Sequence, residues 1–144
     1  MQPPTLKSLL LAAETFTISN SSYQKSYQEF LKYFQSIDII TEHHLIISSH
    51  FVYGWMPTIL HIDTGNIHRI LTSLNNAKSG RLLTADDLEI IKKFMNNSMV
   101  GTSKLLHFIH PNIYAIWDSR VFRYMTGKKS SYSINKPGVY LDYL

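Results

Sequence analysis

The stretch TADDLEIIKKFMNNSMVGTSKLLHFIHPNIYAIWDSRVFRYMTG, residues 84–127, carries the reading of the fold. Thr84 followed three residues later by Asp87 approximates a capping box, with aspartate where glutamate is usual. Leu88, Ile91 and Met95 then place an apolar stripe on a helix that should end near Asn96 and Asn97. A short turn, Ser98-Met99-Val100-Gly101, leads into a second helix from about Thr102, which Pro111 stops. The pattern is helix, glycine-containing hairpin, helix. Residues 111–117 are too short and irregular for another helix. They deliver the chain to Asp118, which can cap a helix over 119–126 carrying Val121, Phe122 and Met125, with Gly127 at its end.

Working outward, the same 3.6-residue periodicity recurs and strand-like alternation is scarce. Pro3-Pro4 can open a first helix whose Leu6, Leu9, Leu10 and Ala13 form a stripe ending near Phe16. The apolar run 9–13 lacks a basic leader, so it reads as a packed helix and not as a signal peptide. Ser21 or Ser22 caps a second helix with Tyr23, Tyr27, Phe30, Leu31 and Phe34 on one face. Thr41 opens a third, with Leu45, Ile46, Phe51, Val52 and Trp55, that should bend or stop at Gly54 to Pro57. Asp63 or Thr64 opens a fourth through Ile67, Ile70, Leu71 and Leu74, terminated by Gly80. After Gly127 come Lys128-Lys129 and a serine-rich loop. Val139, Leu141 and Leu144 then begin an apolar pattern, which suggests a chain continuing past Leu144. The expectation is an all-α, compact orthogonal helical bundle, a single helical domain over 1–144, with a helix-hairpin-helix core at 84–127.

Composition narrows the function classes. A 44% hydrophobic content with 17% charged residues is globular. The absence of cysteine excludes disulfides and thiolate metal sites and points to a reducing, cytoplasmic setting. No segment approaches a membrane span. The net charge of +4 favours an anionic partner, nucleic acid being the commonest for a basic domain. There is no phosphate-binding glycine loop, nucleophile elbow or dinucleotide fingerprint. Of the histidines, His43 and His44 diverge on a helix. His107 and His110 share a face but bring no local carboxylate, so neither a metal nor another cofactor is expected.

Met99 to Lys104, followed by Ile116-Trp117-Asp118-Ser119-Arg120-Val121-Phe122-Arg123, resembles the helix-hairpin-helix DNA glycosylases, the superfamily of endonuclease III and the 8-oxoguanine glycosylases. Met99 stands where that family has its first hairpin glycine, and Ser103 where it has its lysine, with Lys104 one residue later. The resemblance covers the C-terminal third. It implies DNA N-glycosylase chemistry with Lys104 as nucleophile and Asp118 as the carboxylate that stabilises the sugar cation or accepts a proton. It further implies an extruded base stacked on Trp117 or Phe108. Phosphates would be held by the amides of Val100, Gly101, Thr102 and Ser103 and by Arg120, Arg123, Lys128 and Lys129. Read from the residues alone, Asp118 is equally a plain N-cap, Lys104 a solvated helix lysine and Trp117 a core side chain. A non-catalytic nucleic-acid or protein-binding module on the same scaffold is the alternative.

Overall fold

A computed structural model describes residues 4–15, 22–128 and 132–144. Among them the chain forms eight α-helices and no strand: α1 (Leu6–Glu14), α2 (Ser22–Gln35), α3 (Glu42–Trp55), α4 (Ile67–Lys78), α5 (Ala85–Phe94), α6 (Met99–Ile109), α7 (Ser119–Thr126) and α8 (Pro137–Tyr143). The helices pack into the all-α bundle that the periodicity predicts.

Burial explains why α6 is central. Eight of its eleven residues are buried, so it is apolar or small nearly all round, as a helix surrounded by others must be. It packs against α2, α3, α4 and α5, while α8 packs against α5. Leu105, Leu106 and Phe108 join Leu45, Val52, Leu74, Leu88, Ile91 and Trp117 in the same cluster of buried side chains.

Local chemistry sets the helix ends. Thr84 Oγ1 accepts from the Asp87 amide at 3.2 Å while Asp87 Oδ2 accepts from the Thr84 amide at 3.2 Å, so the aspartate closes the capping box. Asp86 and Asp87 at the start of α5 and Lys92 and Lys93 at its end match the helix dipole. Asn96 and Asn97 then take left-handed backbone angles, φ 53° and 54°, which asparagine tolerates better than most side chains. The hairpin therefore turns at 95–98, and α6 begins at Met99 under a Ser98 cap. Gly101 lies inside the second helix and not in the turn, a correction to the expected boundary.

Three further expectations change. The fourth helix begins at Ile67, with Asn66 at its N-cap position, two residues past Thr64, and without a side-chain capping bond. The helix α1 forms under a Thr5 cap but buries nothing: Leu6, Leu10 and Leu11 are 72%, 56% and 61% exposed. It is not the packed helix that its leucines suggest. The tail forms α8, with Pro137 in its first turn, where the sequence shows only the start of a pattern. Phe16, Ser21 and Lys129 lie outside the described residues. Among those described, no helix is long and apolar enough to cross a membrane.

Candidate functional site

Residues 110–118 run from α6 to α7 without regular structure, and their polar groups are fastened from four directions. Tyr114 Oη donates to Arg81 O at 2.6 Å and accepts from the Leu83 amide at 3.1 Å. His107 Nδ1 bonds Tyr114 O at 2.7 Å, Tyr140 Oη donates to Ala115 O at 2.9 Å, and Trp117 Nε1 donates to Ile134 O at 3.0 Å. The remaining fastening is Ser103. Buried on α6, its Oγ accepts from the Trp117 amide at 3.0 Å and lies 3.2 Å from Trp117 O. It fixes the backbone one residue before Asp118 to the helix one residue before Lys104. Two residues fourteen apart in sequence are thereby held in register.

Lys104 is half-buried, and its Nζ lies over the Trp55 ring, 5.4 Å from the centroid. Among the described residues no carboxylate comes within ion-pair distance of it. Burial pushes its amine below the usual lysine pKa, and the Asp118 charge acts on it in the opposite sense. Asp118 caps α7, its Oδ1 accepting from the Arg120 amide at 2.8 Å and the Val121 amide at 2.9 Å. Oδ2 takes no hydrogen bond among the described residues. Tyr143, near the end of α8, is the third group: burial and then the Asp118 charge raise its phenol. Lys104 and Tyr143 thus both feel the Asp118 charge, and Asp118 keeps one carboxylate oxygen free of hydrogen bonds among the described residues. Such a set can attack an electrophilic carbon, stabilise positive charge and hold a proton.

The other expected site residues divide. Arg120, Arg123 and Lys128 are exposed on and just after α7. In the hairpin the Gly101 and Thr102 amides expected to hold phosphate have partners within the fold. Gly101, Thr102 and Ser103 are buried; the Gly101 amide donates to Ser98 Oγ at 3.2 Å and the Thr102 amide to Ser98 O at 3.0 Å. Met99 donates to Asn135 Oδ1 at 3.1 Å, and Val100 is half-buried. Gly101 has a packing reason to be glycine, since a Cβ there would sit 2.8 Å from Tyr53 Oη. Trp117 and Phe108, each 1% exposed, are core residues and not stacking platforms. Phe108 sits edge-on to Phe30 and Trp55, at 5.1 and 5.5 Å, and Trp117 edge-on to Phe122 at 5.5 Å.

Sequence reasoning passed over Trp55, Tyr143 and the joining role of Ser103. Trp55 carried a visible signal, an aromatic at the last position of a helix that stops before Pro57. Tyr143 carried none, because its proximity to Asp118 depends on where α8 packs. Comparison with family models, with curated proteins and with solved structures gives no match to this chain.

Proposed function

We propose that this chain is a DNA glycosylase-like protein in which Lys104 is the nucleophile and Asp118 its carboxylate partner. The reading is carried by the burial-depressed amine of Lys104, free of any ion pair among the described residues, within reach of the Asp118 charge. A lysine in that condition holds more neutral amine near pH 7 than a solvated one. Its nitrogen would form a bond to C1′ as the bond from C1′ to the base breaks, the base leaving with a proton. The C1′–O4′ bond of the sugar ring would then break, O4′ taking up the second amine proton, to leave an imine. Asp118 would stabilise the cationic sugar or take the proton. The net charge of +4 and the exposed Arg120, Arg123 and Lys128 supply a phosphate-facing side. The absence of cysteine fits a reducing, cytoplasmic setting.

Borohydride trapping tests this. Duplexes carrying 8-oxoguanine, uracil or an abasic site should give a covalent complex with the native protein and none with Lys104→Gln. Failure of the native protein to be trapped on any of the three would discard the lysine mechanism. The hairpin amides consumed by Ser98 and Asn135 favour the second reading, a non-catalytic binding module. It predicts DNA binding that weakens steeply with salt and no covalent complex.

A further inference from the structure

The core positions of Trp117 and Phe108 leave the glycosylase-like reading without a place for the base, and the surface beside Asp118 supplies one. A groove of about 490 Å³ runs between α1, α7 and the end of α8, lined by Leu9, Arg120, Val121, Tyr124, Met125 and Tyr143. Its size lies within the ~300–1,000 Å³ of small-molecule sites. Leu9, Val121 and Met125 make apolar walls. The Tyr143 ring is backed by Trp117 at 4.8 Å between centroids and 33° between planes, so it is held firmly. Tyr124 is 54% exposed at the rim. Arg120 supplies a cation at the opening, and Arg123 lies one turn further along α7.

We propose that this groove is the pocket for a flipped nucleobase, with Tyr143 and Tyr124 as its aromatic contacts and Arg120 facing the adjoining phosphate. The assignment rests on the glycosylase-like reading and names the substrate group that the reading lacks. Planar heterocycles attached to an anion fit an aromatic and apolar groove with one cationic edge, since ring faces stack sequence-tolerantly and guanidinium holds phosphate. Asp118 Oδ1 accepts from the amides of Arg120 and Val121, two of the residues that line the groove, which puts the carboxylate at the groove's edge.

The test is nuclear magnetic resonance titration with uridine 5′-monophosphate and 8-oxoguanosine 5′-monophosphate, with ribose 5-phosphate as the baseless control. Signals of Val121, Met125 and Tyr143 should shift with the nucleotides and not with the control. Val121→Trp, which fills the groove, and Tyr124→Ala, at an exposed position, should each raise Kd about tenfold or more. Equal shifts with ribose 5-phosphate, shifts elsewhere, or no shift with either nucleotide would overturn the assignment. So would a change of oligomeric state in Val121→Trp without loss of nucleotide binding, which would give the groove to a second chain. Trapping separates the two proposals. Val121→Trp should lose capture of the 8-oxoguanine duplex and keep capture of the abasic one, which has no base to seat. Absence of all trapping in the native protein would sink the lysine mechanism while leaving the titration to judge the groove.

Discussion

The two helix N-termini on either side of Lys104 are built to opposite ends. At the start of α6 Ser98 takes the Gly101 amide, Asn135 takes that of Met99, and Tyr53 lies close against Gly101. At the start of α7 the Asp118 carboxylate caps with one oxygen and leaves the other uncommitted among the described residues. A helix N-terminus is a ready anion site only while its amides remain free. By that test neither terminus is a free anion site, since Asp118 takes the Arg120 and Val121 amides; the second differs in the carboxylate oxygen that its cap leaves uncommitted. A sequence pattern that marks both as functional conflates them.

The largest effect expected from breaking this contrast is on activity at the open end. Asp118→Asn should cut base release on the order of 10²–10³-fold, the loss typical of removing a group that stabilises transition-state charge. Asparagine caps helices as well as aspartate does, so thermal stability should change by only ~0.5 kcal/mol. A melt that collapses together with activity would show Asp118 to be a cap and nothing more. At the closed end the order reverses. Gly101→Ala should cost about 2–3 kcal/mol of stability, because the new methyl meets the Tyr53 hydroxyl at 2.8 Å. Denaturant unfolding would measure this, and borohydride trapping by the folded fraction should survive.

Ser103→Ala sharpens the comparison, because it joins the two ends. It strips the partner from the buried Trp117 amide and should cost about 1–2 kcal/mol. Loss of trapping beyond that stability change would show that Ser103 holds Asp118 in register with Lys104. The smallest effect concerns His107. Burial first, against a hydrogen bond to Tyr114 O, holds its pKa below the ordinary imidazole value near 6.5. The unfolded chain therefore takes up that proton more readily, and stability falls as pH drops from about 6.5 towards the lowered value. Melting temperature should decrease by a few degrees between pH 7.5 and 5.5. The part of that decrease due to this residue should vanish in His107→Gln.

The helices were legible where caps and stripes coincide. Thr84 with Asp87, Thr41, Asp118 and Gly127 each mark an end that the structure keeps. The turn into α6 was misplaced because Gly101 looks like a hairpin residue in one dimension; its reason is the Tyr53 ring, 48 positions earlier. The apolar run of α1 was misread as core because leucine content reports the capacity to bury and not the presence of a partner. In the candidate site, Lys104 and Asp118 stood out only through the family resemblance, whereas Trp55 and Tyr143 arrive from α3 and α8.

The sequence by itself determined an all-α chain, its main helix ends and its cationic balance, because these follow from periodicity, local hydrogen bonding and charge. Only the tertiary structure decided that Trp117 and Phe108 are core, that the Met99 and Gly101 amides are taken by Asn135 and Ser98, and that Tyr143 lines an apolar groove beside α7. Those outcomes depend on which helices share a face and which polar groups find partners across the fold, and contacts between distant segments leave no mark in any local pattern.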